Sequence, residues 1–367
     1  MRIIHAADFH LDSPFDALTP EQAVQRRAEQ RQILARLAEL ARSTRAEAVL
    51  LSGDLLDGDR VYQETVEALS RTLGQLQVPV FISPGNHDYY THRSAYAVNP
   101  WPDNVHIFRS GQMEAVELPR LNAVVYGAAF TADGQGDSLL RGFSAPEDGR
   151  LHLMVLHADV DAQQGSRYCP VSSQDIAASN LDYLALGHIH AGSGVQYAGR
   201  VPWAYPGCPE GRGFDELGPK GVLCGEVERG RVDLTFVPLC KRQYHIHELT
   251  LTADDTVETV AAQVLQHASP DHLVRFVLKG ESGPDGMDLN ALTKRCAGFF
   301  YSLSFRDKTR VSRDLWSRAG EENLTGLFLR TMKQKLADAR DEEQIALLQK
   351  AVRFGLAALE NREDIAP

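Results

Sequence analysis

Residues 2–10 of the chain read R-I-I-H-A-A-D-F-H. The apolar run over residues 2–7 predicts a buried strand, and Asp8 and His10 follow directly after it. Alternate residues of an extended chain point the same way, so both side chains can contact one ion. The stretch therefore predicts a strand that ends in a candidate metal-binding motif.

Strands and helices alternate after this opening. Residues 19–22 read T-P-E-Q, a capping-box pattern with the threonine as N-cap and the proline at the first helical position. Apolar residues then recur with helical spacing at Val24, Ala28, Leu34, Leu37 and Leu40. Further strands are predicted over 46–52 and 78–83, with an amphipathic helix over 60–76 between them. This alternation predicts an α/β sheet with crossover helices.

From about residue 104 the pattern changes to short strands. The candidates are 104–108, 114–118, 122–127, 151–156, 182–186, 194–198, 201–205, 220–228 and 231–237. We interpret this part as more antiparallel, so that it forms a second sheet packed on the first. Together the two sheets are expected to make one domain over residues 1–240.

Beyond residue 240 the predicted order is strand, helix, strand, helix, strand. This order indicates a small α+β capping domain over residues 241–310. The polar segment 306–320 is expected to act as a linker, and residues 321–361 are expected to form two charged helical stretches. Residues 311–367 are therefore predicted to be a helical C-terminal region.

Composition limits the classes of function. The chain has 367 residues and a formal net charge of -11, so it lacks the overall basic character that supports tight nonspecific DNA binding. DNA remains open as a substrate, because a metal pair or a local basic strip can offset acidic surroundings. Five cysteines without a C-x-x-C motif fit a reducing cytoplasm. No apolar stretch approaches the roughly 20 residues of a membrane span, so no membrane association is expected.

Four further motifs follow predicted strands. They are Gly53-Asp54, the segment G-N-H-D over 85–88, His157, and the segment G-H-I-H over 187–190. Each motif alone is also compatible with a turn or with a packed histidine. Open α/β sheets place their sites at the carboxyl ends of strands, so the five motifs together favour one metal centre. Oxygen and nitrogen donors without thiolate suit Mn, Fe, Zn or Mg.

The motif order D-x-H, G-D, G-N-H-D, H and G-H-x-H over roughly residues 1–240 resembles the calcineurin-like metallophosphoesterase superfamily. The resemblance implies a two-sheet sandwich flanked by helices, with two divalent metal ions. It implies two ligand sets that share one bridging carboxylate: Asp8, His10 and His190 for one ion, Asn86, His157 and His188 for the other, and Asp54 between them.

Three further residues are candidates for roles in catalysis or substrate binding. His87 lies outside the implied ligand set, and the resemblance implies that it contacts the scissile phosphate or protonates the leaving oxygen. Asp88 is expected to orient His87, as carboxylates fix imidazole tautomers elsewhere. Arg212 can contact a phosphate bidentately or form a surface salt bridge, and the sequence does not choose between these roles.

Two longer segments narrow the resemblance. The opening H-A-A-D-F-H-L-D-S-P-F over 5–15 and the segment Y-P-G-C-P-E-G-R-G-F-D-E-L-G-P-K-G over 205–221 resemble SbcD-type DNA-repair exonucleases, in particular their YhaO-like branch. This implies a Mn-dependent nuclease that acts on DNA ends, an SbcC/YhaN-like coiled-coil ATPase partner and a homodimer.

Two other functions stay open, because one metal core serves many reactions. The first is a phosphodiesterase or phosphatase for a small molecule or a phosphoprotein, which the acidic balance favours. The second is a non-catalytic scaffold, against which the intact ligand set argues. In the C-terminal region, Leu324, Leu327, Phe328, Met332 and Leu336 recur with helical spacing. They predict either a partner-docking stripe or an ordinary helix packed on its own domain.

Overall fold

The computed structural model describes residues 1–58, 61–163, 165–283, 286–311 and 316–359. The chain divides into two compact units, Met1–Gln243 and Tyr244–Pro367. The first unit contains every motif expected to bind metal. The further division of the second unit near residue 310 stays a prediction.

The first sheet is built around the strand that opens the chain. In spatial order its strands are β14 (Arg231–Pro238), β13 (Gly221–Glu228), β1 (Arg2–Ala6), β2 (Ala48–Leu51), β3 (Val80–Ile82) and β4 (Val105–Ile107). Strands β1 to β4 are parallel, as predicted for β1 to β3, and β13 runs antiparallel to β1. The expectation that residues 104–108, 220–228 and 231–237 belong to the second sheet was wrong, because β4, β13 and β14 complete the first sheet. The helices between them are α1 (Pro20–Thr44), α2 (Gln63–Gln75) and α3 (Ala95–Val98). The predicted capping box at the start of α1 is present.

The second sheet also has six strands. In spatial order they are β11 (Gln196–Ala198), β12 (Val201–Ala204), β10 (Tyr183–Gly187), β7 (Leu151–His157), β6 (Ala123–Gly127) and β5 (Glu114–Leu118). The expectation of a mainly antiparallel sheet was wrong, because β6, β7, β10 and β12 run parallel and only the two edge strands are antiparallel. The connections between the parallel strands are long enough for crossovers, a property that strand composition does not reveal.

Short elements complete the first unit. They are the 3-10 helix Pro119–Leu121, β8 (Asp159–Val160), β9 (Pro170–Val171) and helix α4 (Ser173–Ala178). The sheets pack face to face through apolar side chains such as Leu50, Phe81 and Val155. Helices α1 and α2 cover the outer face of the first sheet, and α4 covers that of the second. This is the predicted two-sheet sandwich flanked by helices.

The second unit begins with alternating strands and helices. They are β15 (Tyr244–Leu251), α5 (Val257–Leu265), β16 (Ser269–Ser282), α6 (Leu289–Cys296), β17 (Phe300–Asp307) and β18 (Arg310–Val311). The strands are parallel in the order β15-β16-β17, and β18 pairs with the end of β16. The predicted linker over 306–320 thus contains the end of β17, β18 and the 3-10 helix Arg318–Gly320, while residues 312–315 lie outside the described residues.

Two helices follow, α7 (Leu324–Ala337) and α8 (Glu342–Leu359), and the last two residues of the predicted helical stretch lie outside the described residues. The predicted apolar stripe on α7 is divided. Leu324 and Leu327 are exposed, whereas Phe328, Met332 and Leu336 belong to the apolar cluster between α7 and α8. Within the described part of the chain, no helix has the length and apolar character to cross a membrane.

Candidate metal centre

Two parallel strands bring the first ligands together. Beyond the ends of β1 and β2 the two chains continue side by side, since Asp8 N–H donates to Gly53 O at 3.0 Å and His10 N–H donates to Asp54 O at 2.9 Å. Asp8, His10 and Asp54 have φ values of 56°, 44° and 51°. Left-handed backbone at non-glycine residues costs free energy and clusters at functional sites. The surrounding structure therefore holds these loops in a backbone conformation that non-glycine residues rarely adopt.

Two motif glycines allow the strand ends to approach each other. A Cβ atom on Gly187 would overlap the carbonyl oxygen of Ser52, and a Cβ atom on Gly85 would overlap the Asp54 carboxylate. Only a residue without a side chain fits such a close approach. The glycines of G-N-H-D and G-H-I-H thus bring the asparagine and histidines that follow them to the edge where Asp8 and Asp54 lie.

The seven predicted ligands line one site. Potential ligand atoms of Asp8, His10 and His190 all lie within 4.8 Å of one another, and so do those of Asp8, Asp54 and His157. The other two predicted ligands contact these groups. Asn86 Oδ1 lies 3.0 Å from His157 Nε2, and the His188 ring centroid lies 5.2 Å from that of His157. How the ligands divide between two ions stays a prediction.

Outer contacts set the protonation of the histidines that face each other. His10 Nδ1 lies 3.0 Å from Asp57 Oδ1, and His190 Nδ1 lies 2.6 Å from Glu216 Oε1. A ring that donates its Nδ1 proton to such a carboxylate keeps a lone pair on Nε2. The two Nε2 atoms are only 3.2 Å apart. Two lone pairs facing each other at this distance fit a cation between them.

The same reasoning applies to His157. Its Nδ1 donates to the Ser52 carbonyl oxygen at 2.9 Å, so its Nε2 also carries a lone pair. This Nε2 lies 3.4 Å from Asp54 Oδ2 and 3.0 Å from Asn86 Oδ1. Three acceptor atoms converge here without a hydrogen between them. The donor set therefore fits a second cation, of a kind that prefers oxygen and imidazole ligands.

Burial shapes the charge of the site. It lowers the pKa of His10 and of His157 to about 4, so both rings are neutral near pH 7 and available as ligands. Burial, and the neighbouring Asp54 carboxylate, raise the pKa of Asp8 well above its usual range. Two buried carboxylates side by side are costly unless cations compensate their charge. The electrostatics of the site thus favour bound divalent ions.

Asp57 organises the site and was missed by the sequence analysis. Its carboxylate accepts from Ser13 Oγ at 2.9 Å and lies 3.0 Å from His10 Nδ1 and 3.3 Å from His87 Nδ1. Burial opposes its ionisation, but the hydrogen bonds from His10, His87 and Ser13 outweigh burial and lower the pKa of Asp57. Its position three residues after Asp54, in G-D-L-L-D, was the available signal.

Asp88 does not have the contacts expected of it. Its buried carboxylate accepts from the backbone N–H groups of Gly85, Asp54, Leu55 and Leu56 at 2.7–3.2 Å, and from Tyr96 Oη at 2.5 Å. The expectation that Asp88 orients His87 was wrong, because the turn after β3 directs Asp88 inward to satisfy these amides. Asp57 orients His87 instead, and Asp88 shapes the loop that carries Asp54.

His87 borders the ligand cluster. Its side chain is 46% exposed, and its ring centroid lies 4.7 Å from that of His10. Its backbone N–H donates to Asp54 Oδ1 at 2.9 Å. The hydrogen bond to Asp57 raises the pKa of His87. A raised pKa favours the protonated ring, and an exposed imidazolium can donate to a phosphate or to a leaving oxygen.

Arg212 forms a salt bridge within the site, and its contact with a phosphate stays a prediction. Its Nη2 lies 3.1 Å from Glu216 Oε1 and equally far from His190 Nδ1, and its Nη1 lies 3.8 Å from Asp57 Oδ1. The Glu216 carboxylate also accepts a hydrogen bond from the backbone N–H of Arg212 at 2.6 Å. Burial opposes ionisation of Glu216, but His190 and Arg212 lower its pKa to about 2. The salt bridge thus lies inside the site and leaves the guanidinium partly exposed there.

A buried ionic network anchors the loop that carries Arg212. Arg26, on α1, lies 2.6 Å from Glu210 Oε1 and donates to the Gly211 carbonyl oxygen at 2.8 Å. Arg26 also contacts Glu29, which accepts from Arg242 at 2.7 and 2.8 Å. These charged side chains of α1 are buried. Ionic pairing offsets much of their desolvation cost, so the network positions the loop against α1.

Three curated proteins are similar to this chain. YhaO of Bacillus subtilis (strain 168), described as an uncharacterized metallophosphoesterase, is 30% identical over 246 residues, which cover 64% of this chain and 60% of YhaO. The DNA double-strand break repair protein Mre11 of Aeropyrum pernix is 27% identical over 239 residues, with coverages of 60% and 56%. The SbcD component of the nuclease SbcCD of Bacillus subtilis is 23% identical over 274 residues, with coverages of 63% and 67%. The chain thus spans less than two thirds of YhaO and of Mre11.

The family comparison covers the metal centre. The model of the family described as calcineurin-like phosphoesterase matches residues 1–192, more than half of the chain. This range contains all seven predicted ligands, and Arg212 and Glu216 lie beyond it. The resemblance inferred from the motif order is confirmed: this chain belongs to the calcineurin-like phosphoesterase family.

Proposed function

We propose that the chain is a two-metal phosphodiesterase that cleaves DNA at its ends. The observation that carries the metal-dependent part is the convergence of unprotonated nitrogens and carboxylates. His10 Nε2 faces His190 Nε2 at 3.2 Å, and His157 Nε2 faces Asp54 at 3.4 Å. Asp54 borders both groups and has two carboxylate oxygens, so it is the natural bridge between two ions.

The proposed ligand sets follow the motif order. Asp8, His10 and His190 would hold one ion, and Asn86, His157 and His188 the other. Mn is the ion we propose, although the same ligands accept Fe, Zn or Mg. When bound, such a pair polarises a phosphate ester and supplies a nucleophile at neutral pH.

The chain's own side chains would complete the reaction. With its Nδ1 directed to Asp57, protonated His87 has its Nε2–H available for the scissile phosphate or the leaving oxygen. Arg212, held by Glu216, presents a partly exposed guanidinium that can bind a phosphate oxygen. The positive charges of protonated His87 and of Arg212 would stabilise the negative charge that develops on the phosphate during attack.

DNA is proposed as the substrate because of the relatives. One is named a DNA double-strand break repair protein and another belongs by name to a nuclease. The shared metal core alone does not choose between DNA and a smaller phosphodiester. The proposed role is therefore an exonuclease or endonuclease of DNA repair, located in the cytoplasm.

A coiled-coil ATPase of the SbcC/YhaN type is the proposed partner. The relative SbcD is named as one component of the nuclease SbcCD, which indicates a complex of more than one chain. The helix pair α7 and α8 exposes large apolar side chains, including Leu324 at 64%, Leu327 at 55% and Leu347 at 67%. An exposed apolar surface of this kind favours docking of another helical protein. A homodimer is proposed on the family resemblance.

Cleavage of defined substrates tests this function. Metal-stripped protein would be resupplied with Mn and incubated with end-labelled duplex DNA, single-stranded DNA and bis-p-nitrophenyl phosphate. Asp54→Ala is the inactive variant, and Asp133→Ala, which changes a 74% exposed carboxylate, is its matched control. We expect DNA cleavage that disappears only in Asp54→Ala. Cleavage of the small diester alone, even with a coiled-coil ATPase added, would contradict a DNA substrate and indicate a small-molecule phosphodiester instead.

A further inference from the structure

The second unit contains a cleft with basic walls. It has a volume of about 780 Å³ and lies between the ends of β16 and β18 and the helix pair α7 and α8. Four cationic side chains line it: Lys279, Lys308, Arg310 and Lys333. An adjoining cavity of about 770 Å³ shares Lys308 and Arg310 and extends the basic wall to Arg306. This concentration of positive charge contrasts with the net charge of -11 of the whole chain.

The fold explains how these cations come together. Lys308 N–H donates to Leu278 O at 2.8 Å, and Arg310 pairs in register with Glu281, so the chain after β17 runs along the end of β16. Lys308 and Arg310 lie on either side of the buried Thr309, and both side chains line the cleft. Lys333 comes from α7, on another wall of the cleft.

Few carboxylates compensate this charge. Lys279 is paired with Glu248 at 2.6 Å, and Glu281 and Glu343 lie on the walls of the two cavities. Asp307 is already held by Arg353 at 3.2 Å and by Thr309 Oγ1 at 2.7 Å. Among the described residues, no carboxylate lies within 4.0 Å of the side-chain nitrogens of the exposed cations Lys308, Arg310 and Lys333. Their positive charge is therefore available to an anion from solution.

An aromatic side chain adds a second recognition element. Trp316 lines the cleft together with Leu336 and Ile345. Single-stranded nucleic acid binds where a positive groove follows its backbone and aromatic rings stack on its bases. An acidic peptide would pair with the cations but would make less use of the indole. The combination thus favours nucleic acid over an acidic protein.

We propose that this cleft is a second nucleic-acid site, which binds the backbone of a single strand. Lys308, Arg310 and Lys333 contact phosphates, and Trp316 stacks on a base. The inference rests on the proposed function, since a site for a strand has a use only if the substrate is nucleic acid. It adds an anchoring site made of residues that belong to the second unit alone.

Binding by the full chain without metal tests the cleft separately from catalysis. Labelled oligo(dT) would be titrated in EDTA and followed by fluorescence anisotropy at several salt concentrations. The test variant is Lys308→Glu with Arg310→Glu. The matched control is Lys294→Glu with Arg295→Glu, two exposed cations of α6 that do not line either cavity. Both variants change the net charge by the same amount.

The expected result is specific to the cleft. Loss of two phosphate contacts should lower the affinity at least roughly tenfold and reduce the slope of log K against log salt by about 1.4, as each single-strand contact contributes about 0.7. The control variant should change the affinity less than about threefold. Trp316→Leu should weaken binding, whereas Trp316→Phe should largely retain it. Circular dichroism melts would establish that each variant is folded.

Other outcomes would overturn the proposal. Equal losses in the test and control variants would show that only overall charge matters. Competition by poly-glutamate as strong as that by DNA, with no effect of Trp316→Leu, would identify the cleft as a surface for an acidic protein. Hydrolysis of bis-p-nitrophenyl phosphate with Mn should be unchanged in the cleft variants. A failure of DNA cleavage and a failure of cleft binding are therefore separate results.

Discussion

His10 and His190 face each other across the metal centre with their Nε2 atoms 3.2 Å apart, and each ring has its Nδ1 beside a carboxylate. The carboxylates, Asp57 and Glu216, come from two different loops. They fix which nitrogen of each ring carries the proton. Such outer contacts prepare histidines for metal binding by fixing which nitrogen is free.

Glu216→Gln should weaken metal binding without unfolding the chain. The amide removes the charge that fixes the His190 tautomer, and such outer contacts typically contribute about 10- to 100-fold to metal affinity. The measurement is Mn affinity by isothermal titration calorimetry, with thermal melting of the metal-free protein. Asp215→Asn, an exposed neighbour, is the control and should bind like the unchanged chain. Unchanged affinity in Glu216→Gln would contradict the role assigned to Glu216.

His87→Ala should retain both metal ions and lose about 10²- to 10⁴-fold in turnover. The substitution removes a proton donor that lies outside the proposed ligand sets. Turnover of bis-p-nitrophenyl phosphate and metal content would be measured on the same sample. His92→Ala, an exposed histidine of the same loop region, should behave like the unchanged chain. Loss of an ion from His87→Ala would instead make His87 a ligand.

Gly187→Ala should destabilise the first unit. The new Cβ would overlap the Ser52 carbonyl oxygen, which is backbone and cannot move without separating the strand ends. Overpacking of this kind costs about 1–3 kcal/mol. Chemical denaturation would measure the loss. Gly136→Ala, where a Cβ meets no atom within 4 Å, is the control. Equal stabilities of the two variants would show that the strand ends approach less closely than described.

The buried Glu29 should make stability depend on pH in the acid range. Burial opposes its ionisation, but hydrogen bonds from Arg242 and Lys241 outweigh burial and lower its pKa from 4.5 to about 2. A lowered folded-state pKa stabilises the fold fully above the unfolded value, and this stabilisation is lost as the pH falls from about 4.5 to about 2.

Unfolding of Glu29→Gln at several pH values tests this statement. The variant should be less stable than the unchanged chain at pH 7, and the difference should shrink below about pH 4.5. Glu39→Gln is the control, since Glu39 is 69% exposed in its pair with Arg42. A difference in unfolding free energy that stays constant from pH 7 to the acid range would contradict the linkage.

The buried strands and their motifs could be predicted from the sequence. Strands β1, β2 and β3 are buried almost throughout, so they read as continuous apolar runs, and the ligand motifs follow them directly. In contrast, no sequence pattern revealed which polar side chains are buried. Val24 was placed on the apolar face of α1 but is 60% exposed, because Arg26 and Glu29 occupy buried positions of that helix.

Contacts between loops that are far apart in the chain also could not be predicted from the sequence. Asp88 is adjacent to His87 in the chain, which made it the expected partner, but the turn directs it to the backbone of the Asp54 loop. Asp57 reaches His87 from the loop after β2. Strand direction in the second sheet depends on the path of long connections, which local composition does not encode.

The number of Mn ions bound per chain tests whether Asp54 bridges a metal pair. Metal-stripped protein and its Asp54→Ala variant would be titrated with Mn by calorimetry, and the bound metal would be counted by mass spectrometry. Two ions in the unchanged chain, and at least one fewer in Asp54→Ala, are predicted if the Asp54 carboxylate bridges both ligand sets as proposed. Full occupancy of Asp54→Ala with normal turnover would contradict a bridged metal pair.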